Sequence, residues 1–173
     1  MRVVAGELRG RRIEAPAGKG TRPTTDKARE ATFNALGSMG VVVDAHVVDA
    51  YAGSGALGIE ALSRGARHCT FIEHDRGALE VLRRNLASLG LESRATVLRG
   101  DALTMVGQVA DATLVLADPP YAFADWGVLL GRVSADLVVA ESDRPLDEGL
   151  AGWEAVRVKR YGRAFVTFLK RLA

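Results

Sequence analysis

"VVDAYAGSGALGIEALSRG", Val47 to Gly65, decides the fold. An apolar run ends on a carboxylate at Asp49, a turn carrying Gly53, Gly55 and Gly58 follows, and apolar residues at helical spacing begin at once. A strand that passes through a tight turn straight into a helix opens a strand-helix-strand unit. The unit recurs. "HCTFIE", "ATVLRG", "ATLVLAD" and "ADLVVAE" are short, mostly apolar runs bounded by turn signals, as expected of strands covered on both faces. Between two of them, "DRGALEVLRRNLASLG" puts Leu79, Leu82, Leu86 and Leu89 on one helical face and offers Gly90 as a C-cap. The repeat implies an α/β fold with a parallel, right-handed, doubly wound sheet.

The two ends break the rhythm. "RVVAGELRGRRIEAP" is two short alternating segments around a Gly/Arg turn, which predicts a hairpin. "TTDKAREATFNALGSMG" has Thr/Asp at its start and Ala28, Ala31, Ala35, Leu36 and Met39 at helical spacing, so it predicts a helix leading into the sheet. "AVRVKRYGRAFVTFLKR" has strand composition around Tyr161-Gly162 and predicts an antiparallel hairpin at the sheet edge.

At 173 residues and 48% hydrophobic content, the chain has the material for one domain with a core and not for two. One cysteine, Cys69, excludes an internal disulfide, and neither it nor His46, His68 and His74 have metal-ligand spacing, so no metal is expected. No run is long and apolar enough to span a bilayer, and charge at Glu7 interrupts any leader, so a cytoplasmic protein is expected. With no heptad pattern, the default is a monomer.

The net charge of +2 conceals an asymmetry. Residues 1–29 carry eight Lys/Arg against three Asp/Glu, residues 30–150 nine against seventeen, and residues 151–173 six against one. Basic ends on an acidic body suit a phosphate-rich partner, because Lys and Arg gain affinity by releasing counterions condensed on nucleic acid.

The glycine spacing, G-x-G-x-x-G, indicates a nucleoside-bearing cofactor without naming it, and Glu73 at the end of the second strand suits ribose hydroxyls in either a dinucleotide or an adenosyl site. Two carboxylates favour S-adenosylmethionine. Asp49 would oppose a pyrophosphate but accept from a methionine ammonium, and Asp101, ending the third strand, is placed to accept from an adenine amine.

The fourth strand ends "LADPPY". Asp118, preceding a proline, is held extended; Pro119 and Pro120 fix φ and remove two donors, leaving a rigid carbonyl between them; Tyr121 offers a stacking face. Two acceptors converging on a planar amine beside an aromatic ring suit methyl transfer to an exocyclic amine of a flipped or unpaired base. A carboxylate suits guanine, whose 2-amino group lies beside a ring N–H, although it also accepts from an adenine amine through one oxygen.

"RVVAGELRGRRIEAP", "TRPTTDKAREATFNAL", "DAYAGSGALGIEALSRGA", "IEHD", "GDAL" and "LADPPY" together resemble the RsmD-type bacterial 16S rRNA guanine-N(2)-methyltransferases, over nearly the whole chain. The resemblance implies a Rossmann-like class I S-adenosylmethionine-dependent methyltransferase sheet, residues 23–173, with an N-terminal basic β-hairpin extension, residues 1–22, and a C-terminal antiparallel hairpin. It implies methylation of one guanine 2-amino group in 16S rRNA of the small ribosomal subunit, and product S-adenosylhomocysteine. Site residues implied are Asp49, Tyr51, Gly53, Ser54, Gly55, Leu57, Glu73, Asp101, Ala102 and Thr24 for the cofactor, with Asp118, Pro119, Pro120 and Tyr121 at the base. Arg9, Arg11, Arg12, Lys19 and Arg22 would hold rRNA phosphates, and Lys159, Arg160 and Arg163 the opposite bank. Tyr51 stands where phenylalanine is common in the family. Asn34 is a further candidate at the site; Arg29 and Phe33 divide between function and helix packing. Trp126 and Trp153 are expected to pack. The rival readings are a DNA or RNA adenine amino-methyltransferase on the same socket, a glutamine-directed protein methyltransferase, and a non-catalytic RNA-binding assembly factor.

Overall fold

The computed structural model describes residues 1–16 and 26–173. Lys19, Arg22 and Thr24, and the boundary expected at residue 22, lie outside the described residues. The elements are α1 Asp26–Ser38, β1 His46–Asp49, α2 Ala56–Ser63, β2 His68–Glu73, α3 Arg76–Ser88, β3 Ala95–Arg99, α4 Ala102–Met105, β4 Leu114–Ala117, α5 Trp126–Arg132, β5 Leu137–Ser142, β6 Trp153–Tyr161 and β7 Ala164–Arg171. They form one seven-stranded sheet in the order β3-β2-β1-β4-β5-β7-β6. The first five strands are parallel, β7 runs antiparallel to β5, and β6 returns antiparallel beside it. This is the predicted doubly wound sheet with its C-terminal hairpin, which turns at Gly162, φ +60°. The strand order reverses between β1 and β4, where open α/β sheets bind ligands.

The apolar strands bury both faces. Phe33, Leu36, Ile59, Leu62, Phe71 and Phe168 fill one side, under α1, α2 and α3; Ile72, Val115, Trp126, Leu129 and Leu169 fill the other, under α4 and α5. Trp126 and Trp153 pack as expected. Leu79, Leu82, Leu86 and Leu89 are buried along α3, whose N-cap Asp75 accepts from Ala78 N at 2.8 Å. No described helix is long and apolar enough to cross a membrane.

The buried face of α1 differs from the predicted one. Ala28, Arg29, Thr32, Phe33 and Leu36 face inward, while Met39 is exposed and Ala31 and Ala35 are half-buried. The stripe is rotated because Arg29, fully buried, meets an equally buried carboxylate on α2, Glu60, at 3.4 Å.

From Gly58 to Ser63, α2 is buried in succession, and a helix covered on all sides needs a further layer. The N-terminal hairpin supplies it. Its two segments meet through one antiparallel bridge, Arg2 with Arg12, and bury Val3 and Ile13. Glu60 accepts from Val4 N at 2.8 Å and Ala5 N at 3.0 Å; Ser63 Oγ accepts from Leu8 N and donates to Ala5 O. Gly6, at φ +88°, passes so close that a Cβ there would lie 2.0 Å from the Ser63 carbonyl.

Candidate active site

The carboxyl ends of β1 to β4 bring together the predicted carboxylates. Asp49 is 1% exposed. Its Oδ2 accepts from Gly58 N at 2.9 Å, and its Oδ1 is buried with no hydrogen-bond partner. Burial pushes its carboxyl up to about 7; Gly58 opposes this, and the nearby charges of Asp118 and Glu73 add to it. Glu73 lies beneath the glycine turn: Oε1 accepts from Gly53 N at 3.0 Å, Oε2 from His74 N and Asp75 N.

The three glycines have separate reasons. Gly53 and Gly55 adopt φ +55° and +88°, with open space at the first. A Cβ on Gly58 would lie 2.3 Å from the Phe71 ring and 2.7 Å from Cys69 Sγ, so this position lets α2 rest on β2. Ser54 is buried and its carbonyl accepts from Asn85 Nδ2 at 2.9 Å; Leu57 is half-buried on the first turn of α2.

Tyr51 turns to the other side of the sheet, edge-on to Phe123 at 5.6 Å, and Phe123 meets Trp126 at 4.9 Å. The Tyr51 hydroxyl is buried without a partner, and burial, with the carboxylates of Asp101 and Asp125, raises its pKa. Asp101 caps α4, accepting through Oδ2 from Thr104 N at 3.1 Å and Thr104 Oγ1 at 3.2 Å, with Ala102 buried behind it. Two orphaned polar atoms, Asp49 Oδ1 and Tyr51 Oη, flank a turn of glycines. A ligand bearing both a cation and polar acceptors fits them, as the methionine ammonium and nucleoside of S-adenosylmethionine do.

Asp118 to Tyr121 leave β4 beside this turn. Asp49 is in register with Leu116, so Asp118 stands two residues beyond its neighbour across the strands. Pro119 is buried and Pro120 exposed; Phe123 N closes a turn on the Pro120 carbonyl at 2.9 Å, which leaves the Pro119 carbonyl out of that turn. Tyr121 is 45% exposed.

The basic candidates divide between the two ends of the sheet. Arg160 pairs in register with Phe165, as does Ser142 at the end of β5, so the hairpin tip with Arg163 stands at the carboxyl edge. Lys159, Arg160 and Arg163 are exposed. Arg9, Arg11 and Arg12 are exposed too, but the turn carrying Arg9 is bonded to Ser63, the last residue of α2, at the amino edge. Arg11 donates to Ser88 O at 2.9 Å. The second hairpin segment then climbs α3 to Glu14, whose N–H and carbonyl both pair with the Asn85 side chain at 2.9 Å.

Sequence reasoning missed Asn85 and Glu60. Asn85, 3% exposed, joins the hairpin to the cofactor turn; its signal was one amide among the leucines of α3. Glu60 was the sole charge in an apolar helix. Arg29 and Phe33 prove to be packing residues, and Asn34, exposed, accepts from Arg64 Nη1 at 3.0 Å. His46, 8% exposed, pairs with Asp111 at 3.0 Å and Thr70 at 2.8 Å, at the amino edge away from the site.

Several known proteins are similar to this chain. The Bacillus subtilis protein YlbH is 36% identical over 184 aligned positions, covering 99% of both chains. Ribosomal RNA small subunit methyltransferase D of Escherichia coli K12 is 43% identical over 122 residues, 70% of this chain and 60% of that enzyme. The solved structure of Escherichia coli yhhF superposes with a TM-score of 0.86 at 36% identity, covering 100% of this chain and 98% of that one. The family described as conserved hypothetical protein 95 matches residues 1–170. The chain therefore belongs to that family, the RsmD-type methyltransferases that use S-adenosylmethionine.

Proposed function

We propose that this protein methylates the exocyclic 2-amino group of one guanine in 16S rRNA of the small ribosomal subunit. The observation that carries the reading is the juxtaposition of the orphaned Asp49 carboxylate oxygen with the Asp118-Pro119-Pro120-Tyr121 turn, at neighbouring strand ends across the point where the sheet order reverses. When bound, S-adenosylmethionine supplies an electrophilic methyl group on a sulfonium.

Asp49 holds the ammonium, Glu73 the ribose, Asp101 and Ala102 the adenine end, and Tyr51 its buried hydroxyl's partner; Gly53, Ser54, Gly55 and Leu57 shape the turn around the methionine portion. Thr24 completes this set from outside the described residues. Asp118 and the Pro119 carbonyl accept the two N–H groups of the target amine, aligning its lone pair for in-line displacement. Pro120 stiffens the turn, and Tyr121 stacks on the base. No strong base is required, because the proton leaves after the new bond has formed. The basic residues position rRNA by its phosphates, Lys159, Arg160 and Arg163 from the carboxyl edge and Arg9, Arg11 and Arg12 from the amino edge rather than from two banks of one site, with Lys19 and Arg22 as further phosphate contacts from outside the described residues. The setting is cytoplasmic and the enzyme acts as a monomer. Support comes from the 43% identical relative, named for small-subunit rRNA.

The test is methyl transfer from labelled cofactor to small subunits, protein-free 16S rRNA and DNA, followed by nucleoside digestion. Label recovered as 2-methylguanosine from one of the first two is the expected result. Methyladenosine or labelled DNA would overturn the base assignment. Cofactor binding without transfer would mean a binding factor.

A further inference from the structure

The outer face of α1 and the edge strand β6 enclose a groove of about 400 Å³, lined by Ala31, Asn34, Ala35, Ser38, Met39 and Arg157. We propose that this groove holds the rRNA strand flanking the target nucleotide, and that the β-bulge at Val156 exists to serve it. The inference rests on the rRNA reading above.

The bulge decides which way the cations of β6 face. Pairing with β7 passes from Ala155 opposite Leu169 to Arg157 opposite Phe168, skipping Val156. Ala155 packs on the α4/α5 side of the sheet, whereas Tyr161 packs on the α1 side and Arg157 lines the groove. Strand side chains alternate, so Lys159, between Arg157 and Tyr161, shares their face. Without the extra residue, Arg157 and Lys159 would keep the parity of Ala155 and point to the opposite side. Bulges re-aim side chains in this manner.

The face thus presents Arg157, Lys159 and Tyr161 in order, climbing to the hairpin tip at the carboxyl edge, where Asp118 lies. Residues two apart on a strand are about 7 Å apart, on the scale of successive phosphates along an extended nucleic-acid strand. The Arg157 guanidinium lies 5.9 Å from the Phe168 ring, and among the described residues no carboxylate pairs with it. Glu154, the one acidic residue after position 150, is matched in register with Lys170. The small Ala31, Ala35 and Ser38 leave room for sugars, and Asn34 offers polar groups. Arg157 in the groove, with Lys159 and Tyr161 above it on the same face of β6, gives a single RNA strand a charged and aromatic track towards the carboxyl edge.

Arg157→Glu tests this without touching the cofactor site. Binding to protein-free 16S rRNA and to small-subunit particles is measured over a salt series, with calorimetric cofactor binding as control. The expected result is a Kd raised about tenfold or more for both RNAs, a salt slope shallower by about one, and unchanged cofactor affinity. Unchanged rRNA affinity and slope would overturn the proposal, as would weakening on particles alone, which would assign the groove to a ribosomal protein. Wild type that binds neither RNA would instead sink the rRNA reading itself. A second variant gives a positive signal. Ser38→Cys provides the one accessible thiol, since Cys69 is fully buried and burial raises its pKa. An iron chelate tethered there is expected to cleave rRNA on one side of the methylated guanosine; cleavage nowhere near it would contradict the groove.

Discussion

Glu60 and Asp49 are both buried carboxylates in contact with α2, and the protein treats them in opposite ways. Both oxygens of Glu60 are engaged, by Val4 N, Ala5 N, the Arg29 guanidinium and Arg64 Nε at 2.8 Å. Asp49 receives one bond, from Gly58, and its second oxygen has none. An unmet buried acceptor costs about 1–3 kcal/mol, so the saturated Glu60 belongs to the architecture, while the open oxygen of Asp49 marks a place for a ligand. The comparison separates what holds the hairpin on the domain from what the domain is for.

The largest effect that would break this comparison is expected at Glu60. Glu60→Ala removes the buried acceptor shared by Val4 N, Ala5 N, Arg29 and Arg64, leaving Arg29 with Asp26 and the Arg2 carbonyl, and should cost about 3–5 kcal/mol in denaturant unfolding, whereas Asp49→Asn should leave cofactor-free stability at pH 8 equal or higher while weakening cofactor binding at least about tenfold. Equal losses of stability in the two variants would end the distinction. Next in size is Asp118→Ala, where single-turnover methyl transfer should fall about a hundred- to a thousandfold with rRNA affinity unchanged.

Asp49 also sets a pH dependence. In the unfolded chain it loses its proton near 3.8, and in the folded chain near 7. Stability of the cofactor-free protein therefore falls as pH rises between those values and levels off above. Binding a cation there requires the carboxylate, so cofactor affinity should rise through the same window, by up to about tenfold per pH unit. Calorimetry from pH 6 to 8 measures it, and Asp49→Asn should flatten it.

Asn85→Ala sharpens the contrast between fastening and function, because this amide touches both hairpin and cofactor turn. A loss of about 1–3 kcal/mol is expected, accompanied by weaker cofactor binding; a change in stability alone would make Asn85 a fastener only. The smallest effect belongs to the amino edge. Burial, and then the neighbouring His46, lower the pKa of His68, so its contribution is present above the unfolded value of 6.5 and fades as pH falls through the folded one. His68→Gln should reduce the slope of melting temperature between pH 7 and 5.

The five parallel strands, the glycine turn and the Asp-Pro-Pro-Tyr exit were legible because each is a local pattern with a local cause. The hairpin's attachment was not, since Glu60 with Val4 and Asn85 with Glu14 are pairs more than fifty residues apart. Arg29 misled the reading of α1 because arginine in a helix is ordinarily a surface residue, and only its partner on α2 reverses that. The short helices α4 and α5 carry too few turns for periodicity to register. The parity switch at Val156 is invisible without the pairing of β6 to β7.

The most direct measurement replaces the guanosine found to carry label with inosine, which lacks the 2-amino group, in a small-subunit substrate. Transfer at that position is expected to stop while cofactor and RNA binding persist. Methyl transfer continuing at the inosine would place the reaction on another atom and contradict the assignment of Asp118 and the Pro119 carbonyl.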